Sequence, residues 1–308
     1  MIADLSTSPC PTLSPEDIVR EVKNLPSAPK VLPRLKQLLS DGNSAMHEIV
    51  GLVRLDPGIA ARVLQTANSA YFSKGVRCLT VEEAVHRVGY DQVYELVSYA
   101  VASQVLVRPL EAYDLEADEL WRMSVACALA AEALAERSGQ DRNIAYTIGL
   151  LHCVGMVAID EWALRNARAF SFTAVGYPRE ATASERAQLG FTQADAGGAL
   201  LTAWEFPSSM AEPVRWQYTP RASSAHQGMS CLLYAAKWLR SAACAPTVAD
   251  RPPLPEAVQL QPIGLTPAML SAMVAPVSRR LIEVSSLLDV AEPRVDTRSM
   301  FPAHTWRR

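Results

Sequence analysis

Apolar residues recur along this chain at spacings of three and four, the period of one face of an α-helix. Val31, Leu32, Leu35, Leu38 and Leu39 make one such stripe, and Ile59, Val63 and Ala67 another. Between stripes the chain carries cap signals. Ser14-Pro15-Glu16-Asp17, Asp56-Pro57 and Thr266-Pro267 each place a capping oxygen before a first-turn proline, and Thr80-Val81-Glu82-Glu83 reads as a capping box. Gly89 and Gly139 read as stops, as does Pro109, while Leu25-Pro26-Ser27-Ala28-Pro29 breaks the first helix and Asp41-Gly42-Asn43 turns the chain.

These signals predict helices from Ser14, over 44–55, 56–70, 80–89, 91–107, 115–138, 143–155, 182–189, 192–204, 208–218, 223–243 and 266–288. The segment 163–177 is less regular. Period-two alternation bounded by turns is scarce, so the expected fold is all-α, a multi-helix bundle with no repeat of fixed length. A flexible tail is expected over 1–13, a helical domain over 14–244 (parts 14–110 and 111–244), a proline-rich linker over 245–265, and a C-terminal helix and tail over 266–308.

Composition adds bounds. Hydrophobic residues make up 49% and charged residues 20%, enough apolar material for a substantial core. The net charge of −3 gives no general basic field, so nucleic acid is not an expected partner. Cys10, Cys78, Cys127, Cys153, Cys231 and Cys244 form no Cys-x-x-Cys pair, which argues against a structural zinc site. Without a secretory pattern at the N-terminus or a run of about 18 apolar residues, a cytoplasmic protein with no membrane span is expected.

The chemistry-bearing stretch is Gly149-Leu150-Leu151-His152-Cys153-Val154-Gly155. It resembles the central Gly-Leu-Leu-His-Asp-x-Gly motif of the HD superfamily of metal-dependent phosphohydrolases, whose His and Asp bind a divalent cation. Here Cys153 stands in place of the aspartate. A hard cation wants oxygen ligands, and a thiol buried in apolar surroundings stays protonated. The other positions of that frame carry Met123 after Arg122, Gln193 after Thr192, and Trp216-Gln217-Tyr218, where histidines are usual. No histidine pair has ligand spacing, so no metal and no cofactor is expected, and His152 reads as a buried, hydrogen-bonded core residue.

Asp56-Pro57-Gly58-Ile59-Ala60-Ala61-Arg62-Val63-Leu64, Ala67-Asn68-Ser69-Ala70-Tyr71-Phe72, Leu120-Trp121-Arg122 and the block from Gly190 to Pro207 occur in the order seen in the HDOD (HD-related output) domain of bacterial signalling proteins. The chain is similar to that family over about residues 20–220. The resemblance implies an all-helical, HD-like domain used for regulation rather than hydrolysis, with signalling proteins of two-component or cyclic-dinucleotide pathways as partners. It implies a relic pocket around His152, Cys153, Arg122, Met123, Gln193 and Trp216. Asp56, Pro57, Arg62, Asn68, Ser69, Tyr71, Gly149 and Gly155 carry the family pattern. Arg62 and Arg122 either pair with acids inside the fold or face an anionic ligand. The competing expectation is a divergent metal-dependent phosphohydrolase acting on nucleotides or phosphate esters.

Overall fold

The computed structural model describes residues 13–22, 38, 45–73, 75–89, 92–93, 109–172 and 179–289. The helix expected from Val31 to Leu39, Leu38 apart, most of the helix expected over 91–107, and both expected tails, residue 13 apart, lie outside the described residues. So does the turn at Asp41-Gly42-Asn43. Every described element is helical apart from one isolated bridge between Leu110 and Leu115.

The caps at Ser14, Asp56 and Thr80 sit where the sequence puts them. Ser14 opens α1 (Pro15–Glu21) with a capping box closed by Asp17. After α2 (Met46–Arg54), Asp56 accepts the Ile59 N–H at 2.8 Å and starts α3 (Pro57–Asn68). Thr80 starts α4 (Val81–Val88). Asn68 then pins the connection between α3 and α4: its Oδ1 accepts from Cys78 N at 2.6 Å, and its Nδ2 donates to Cys78 O at 3.1 Å. Ser69 donates to Thr66 O at 2.7 Å, and Tyr71 beside it is 84% exposed.

The centre of the molecule is α5 (Ala117–Ser138), packed against α6 (Arg142–Leu151) and α11 (Gln227–Cys244). The α5–α6 seam is close because Gly149 has no side chain. A Cβ there would lie 2.7 Å from Ala128 Cα and 2.8 Å from Cys127 O. From α6 the chain turns through His152 and Cys153 into α7 (Val154–Arg165). This departs from the single helix expected over 143–155. A continuing helix would offer the Gly149 carbonyl to the Cys153 amide; instead the His152 ring bonds that carbonyl at 2.7 Å. Gly155 then meets the backbone of α9 (Gln193–Ala203) so closely that any Cβ would overlap the Gln193 carbonyl. The apolar run over Arg142–Arg165 is long enough to cross a membrane by composition, but 89% of its most apolar window is buried inside this fold.

α8 (Arg179–Leu189) precedes α9, and α10 (Ser208–Arg215) follows it. Beyond α11, the proline-rich segment is fastened down: the Trp238 indole N–H reaches the carbonyls of Pro252 and Pro253 at 3.1 and 2.9 Å. After the short α12 (Ala257–Leu260), the expected last helix is two, α13 (Pro267–Ala272) and α14 (Val274–Asp289). Pro276 lacks the N–H that would bond Ala272, and its ring crowds that carbonyl, so the break falls at Met273.

α14 packs on α11 and α5. Its Arg280 meets the buried Glu132 of α5 at 2.7 Å, while Arg54 approaches the same carboxylate at 3.0 Å and Arg142 at 3.9 Å. Arg54 also pairs with Glu82 and lies over the Tyr146 ring. One carboxylate, 5% exposed, therefore joins the N-terminal helices, the central pair and the C-terminal helix.

Candidate functional site

His152 is 1% exposed at the turn between α6 and α7. Its Nδ1 faces the Gly149 carbonyl at 2.7 Å, so Nδ1 carries the proton and donates. Nε2 is then the bare nitrogen. It receives a guanidinium N–H from Arg240 of α11 at 3.2 Å and the thiol proton of Cys153 at 3.0 Å. Burial holds the imidazole pKa well below its ordinary value, and the Arg240 and Lys237 charges act the same way. The ring is neutral, and the lone pair an imidazole would offer a metal is already engaged.

The polar layer continues away from His152. Gln217 Nε2 donates to His152 O at 3.0 Å and to Val214 O at 2.9 Å, and Gln217 Oε1 accepts from Lys237 Nζ at 2.8 Å. The Lys237 ammonium lies 3.3 Å from the centroid of the Tyr218 ring. Tyr218 Oη accepts from Gln193 Nε2 at 2.9 Å, leaving Gln193 Oε1 buried with no donor. The Gln193 amide N–H donates to Glu185 of α8 at 2.9 Å, and the Tyr113 hydroxyl donates to the other oxygen of that carboxyl at 2.9 Å.

Burial dominates the electrostatics. It pushes Lys237 down to about 7, helped by Arg240. It pushes Glu185 up to about 7 against its two hydrogen-bond donors. The thiols of Cys153 and Cys127 are driven up to about 11 and about 12. Neither is a thiolate at neutral pH, so neither offers a nucleophile or a soft ligand.

Of the residues singled out from sequence, the structure brings His152, Cys153 and Gln193 into this layer. Trp216 does not join it: it caps the end of α10, half-buried, and its neighbours Gln217 and Tyr218 turn inward instead. Met123 packs half-buried on the core, and Arg122 is exposed. Pro57 and Gly58 line a cavity of about 20 Å³ with Ser124 and Cys153. Asp56 is a cap and Asn68 a loop clasp, so these family-pattern positions shape the fold. Lys237, Arg240 and Glu185 were not legible as site residues. The one available signal was that Lys237 and Arg240 continue the Leu233–Ala236 face of an Ala/Leu-rich helix.

Among the described residues no three His, Cys, Asp or Glu side chains could hold a metal ion together. The donor set around His152 is a thiol, two amides, an ammonium and a guanidinium. A permanently charged guanidinium and a buried lysine beside the one imidazole do not fit a divalent ion.

A family model for the HDOD domain matches residues 25–220. Among solved structures, the MmoQ response regulator of Methylococcus capsulatus str. Bath is 22% identical with a TM-score of 0.61, covering 83% of this chain and 99% of its own. A virulence factor of Campylobacter jejuni is 18% identical with a TM-score of 0.65, covering 87% and 96%. An uncharacterized protein of Treponema pallidum (strain Nichols) is 31% identical over 142 residues, 46% of this chain and 27% of that relative's length.

Proposed function

The chain belongs to the HDOD domain family, and from that premise we propose that it is a regulatory signal-transduction protein that works by binding and does not hydrolyse phosphate esters. The observation that carries this reading is the contact of Arg240 with His152 Nε2. A metal-dependent hydrolase needs that lone pair, more ligands, and a water on the ion. Here a guanidinium takes the lone pair, a protonated thiol replaces the carboxylate, and the Lys237 ammonium sits in the next layer. A similar fold in a protein described as a response regulator agrees with a signalling role. Signalling proteins are the partners this reading implies.

The test is metal content and turnover. The full chain, purified with manganese, zinc or magnesium in excess, is expected to carry metal well below one equivalent. It is expected to release no product from a phosphomonoester or a cyclic dinucleotide. One equivalent of tightly held ion together with turnover would overturn the reading.

A further inference from the structure

A cavity of about 260 Å³ lies between the last turns of α5 and the start of the C-terminal helices, and it shares no lining residue with the His152 layer. Leu265, Met269 of α13, Met273 at the break and Val277 of α14 line it from the C-terminal side, and Ala133 lines it from α5. The sequence accounts for the gap. Pro276 breaks the chain at Met273, and α5 offers only the methyl group of Ala133 there, so the space between the helices is left unfilled. Apolar walls give water few hydrogen-bond partners, so an apolar guest displaces it favourably. A cavity of about 150 Å³ holds a benzene ring, so one of 260 Å³ suits an apolar body of about ten carbon atoms. The two methionines let the wall adapt to a flexible guest.

Two charged side chains complete the lining, Glu136 and Arg137, both exposed near the end of α5. Arg142 answers Glu136 at 3.4 Å. Arg137 has neither an ion pair nor a hydrogen bond among the described residues. Other exposed arginines, Arg279 for one, share that state; Arg137 combines it with a place in the wall of an apolar cavity. One uncompensated positive charge therefore stands at the mouth. A carboxylate fits the guanidinium fork with two parallel N–H bonds, and Glu136 disfavours a head with a second negative charge. A cavity of this size seats a small molecule, not the patch of about 800 Å² that a protein partner covers.

We infer that this cavity binds an amphipathic monocarboxylate, its apolar body held by Met269, Met273 and Val277 and its carboxylate by Arg137. The bound molecule ties α14 to α5 one turn along from the contact of Arg280 with Glu132, so it fastens the C-terminal helices to the centre of the fold. The site goes beyond the reading of His152 and does not depend on it.

Titration calorimetry of the full chain at neutral pH with octanoate, and separately with octanol as its uncharged counterpart, tests the site. Saturable binding of one octanoate per chain is expected. Arg137→Gln, at an exposed position that keeps the fold, is expected to weaken octanoate about tenfold, the low end for a hydrogen bond to a charged group, and to leave octanol affinity unchanged. Ala133→Leu fills the cavity and is expected to abolish binding of both without lowering the melting temperature. If Ala133→Leu destabilises the chain, the Arg137→Gln comparison decides alone. No saturable octanoate binding, several molecules per chain, or an affinity unchanged in both variants overturns the site. Octanoate held as tightly by Arg137→Gln as by the parent overturns the carboxylate contact and with it the ligand class. Metal binding with turnover at His152 would sink the non-catalytic reading and leave this site standing.

Discussion

Arg240 donates to the bare Nε2 of His152 across 3.2 Å, so a guanidinium occupies the side of the imidazole from which a metal ion would be bound. With Nδ1 fixed on the Gly149 carbonyl, the ring has one tautomer and no free lone pair. Replacing Arg240 by Met removes a nearby positive charge and an N–H donor. The His152 pKa is then expected to rise relative to the parent, while burial still keeps it below the ordinary histidine value. Nuclear magnetic resonance titration of the imidazole reads this directly, and an unchanged pKa would show that the contact does not form in solution.

Glu185 and Lys237 give opposite pH slopes. The Glu185 pKa is raised from 4.5 to about 7 on folding, so its contribution is full below 4.5 and is lost as pH rises through about 7. The Lys237 pKa is lowered from 10.5 to about 7, so its contribution is present above 10.5 and is lost as pH falls through about 7. The groups acting on the pair are Arg240 on α11, Cys127 on α5, His152 and Cys153 at the α6–α7 turn, Asp195 on α9, and Tyr113 and Tyr218. Urea unfolding across pH should show Glu185→Gln flattening the slope between 4.5 and 7, and Lys237→Met flattening it between 7 and 10.5. Each effect is at most about 1.4 kcal/mol per pH unit for one proton.

Glu132 balances three guanidiniums from three other helices. Glu132→Gln is expected to cost about 2 kcal/mol in chemical denaturation, below the full value for a buried pair because the arginines are partly exposed. Arg280→Ala, which removes only one partner, is expected to cost less than about 1 kcal/mol. Equal costs for the two variants would mean that Glu132 is not a shared centre.

Gly155→Ala drives a methyl group into the Gln193 carbonyl. The backbones of α7 and α9 must part, with an expected loss of about 3 kcal/mol, the upper range for overpacking. The melting temperature reads the loss. An alanine variant as stable as the parent would show that the two helices do not meet this closely.

Local signals were legible in the sequence. Ser14, Asp56, Thr80, Thr192 and Thr266 each cap the helix that follows, because a side-chain oxygen reaching an amide two or three residues on needs no tertiary context. The break at His152 was not legible. It depends on a ring competing for a backbone carbonyl and on Gly155 meeting a helix about forty residues away in the chain. The inward turn of Gln217 in place of Trp216 is likewise set where α10 ends, at Arg215, three residues short of the helix expected over 208–218. Lys237 and Arg240 were hidden because basic residues on an Ala/Leu helix usually mark its solvent face.

The helix that carries both cations begins at Gln227, beyond residue 220 where the family pattern stops. A fragment trimmed to that pattern would lose Arg240 from Nε2 and the ammonium from Gln217. It would also strip the cover from a large part of α5. Expressed alone, such a piece should be sticky and short-lived, and it would report on a truncated core rather than on the binding behaviour of the whole chain.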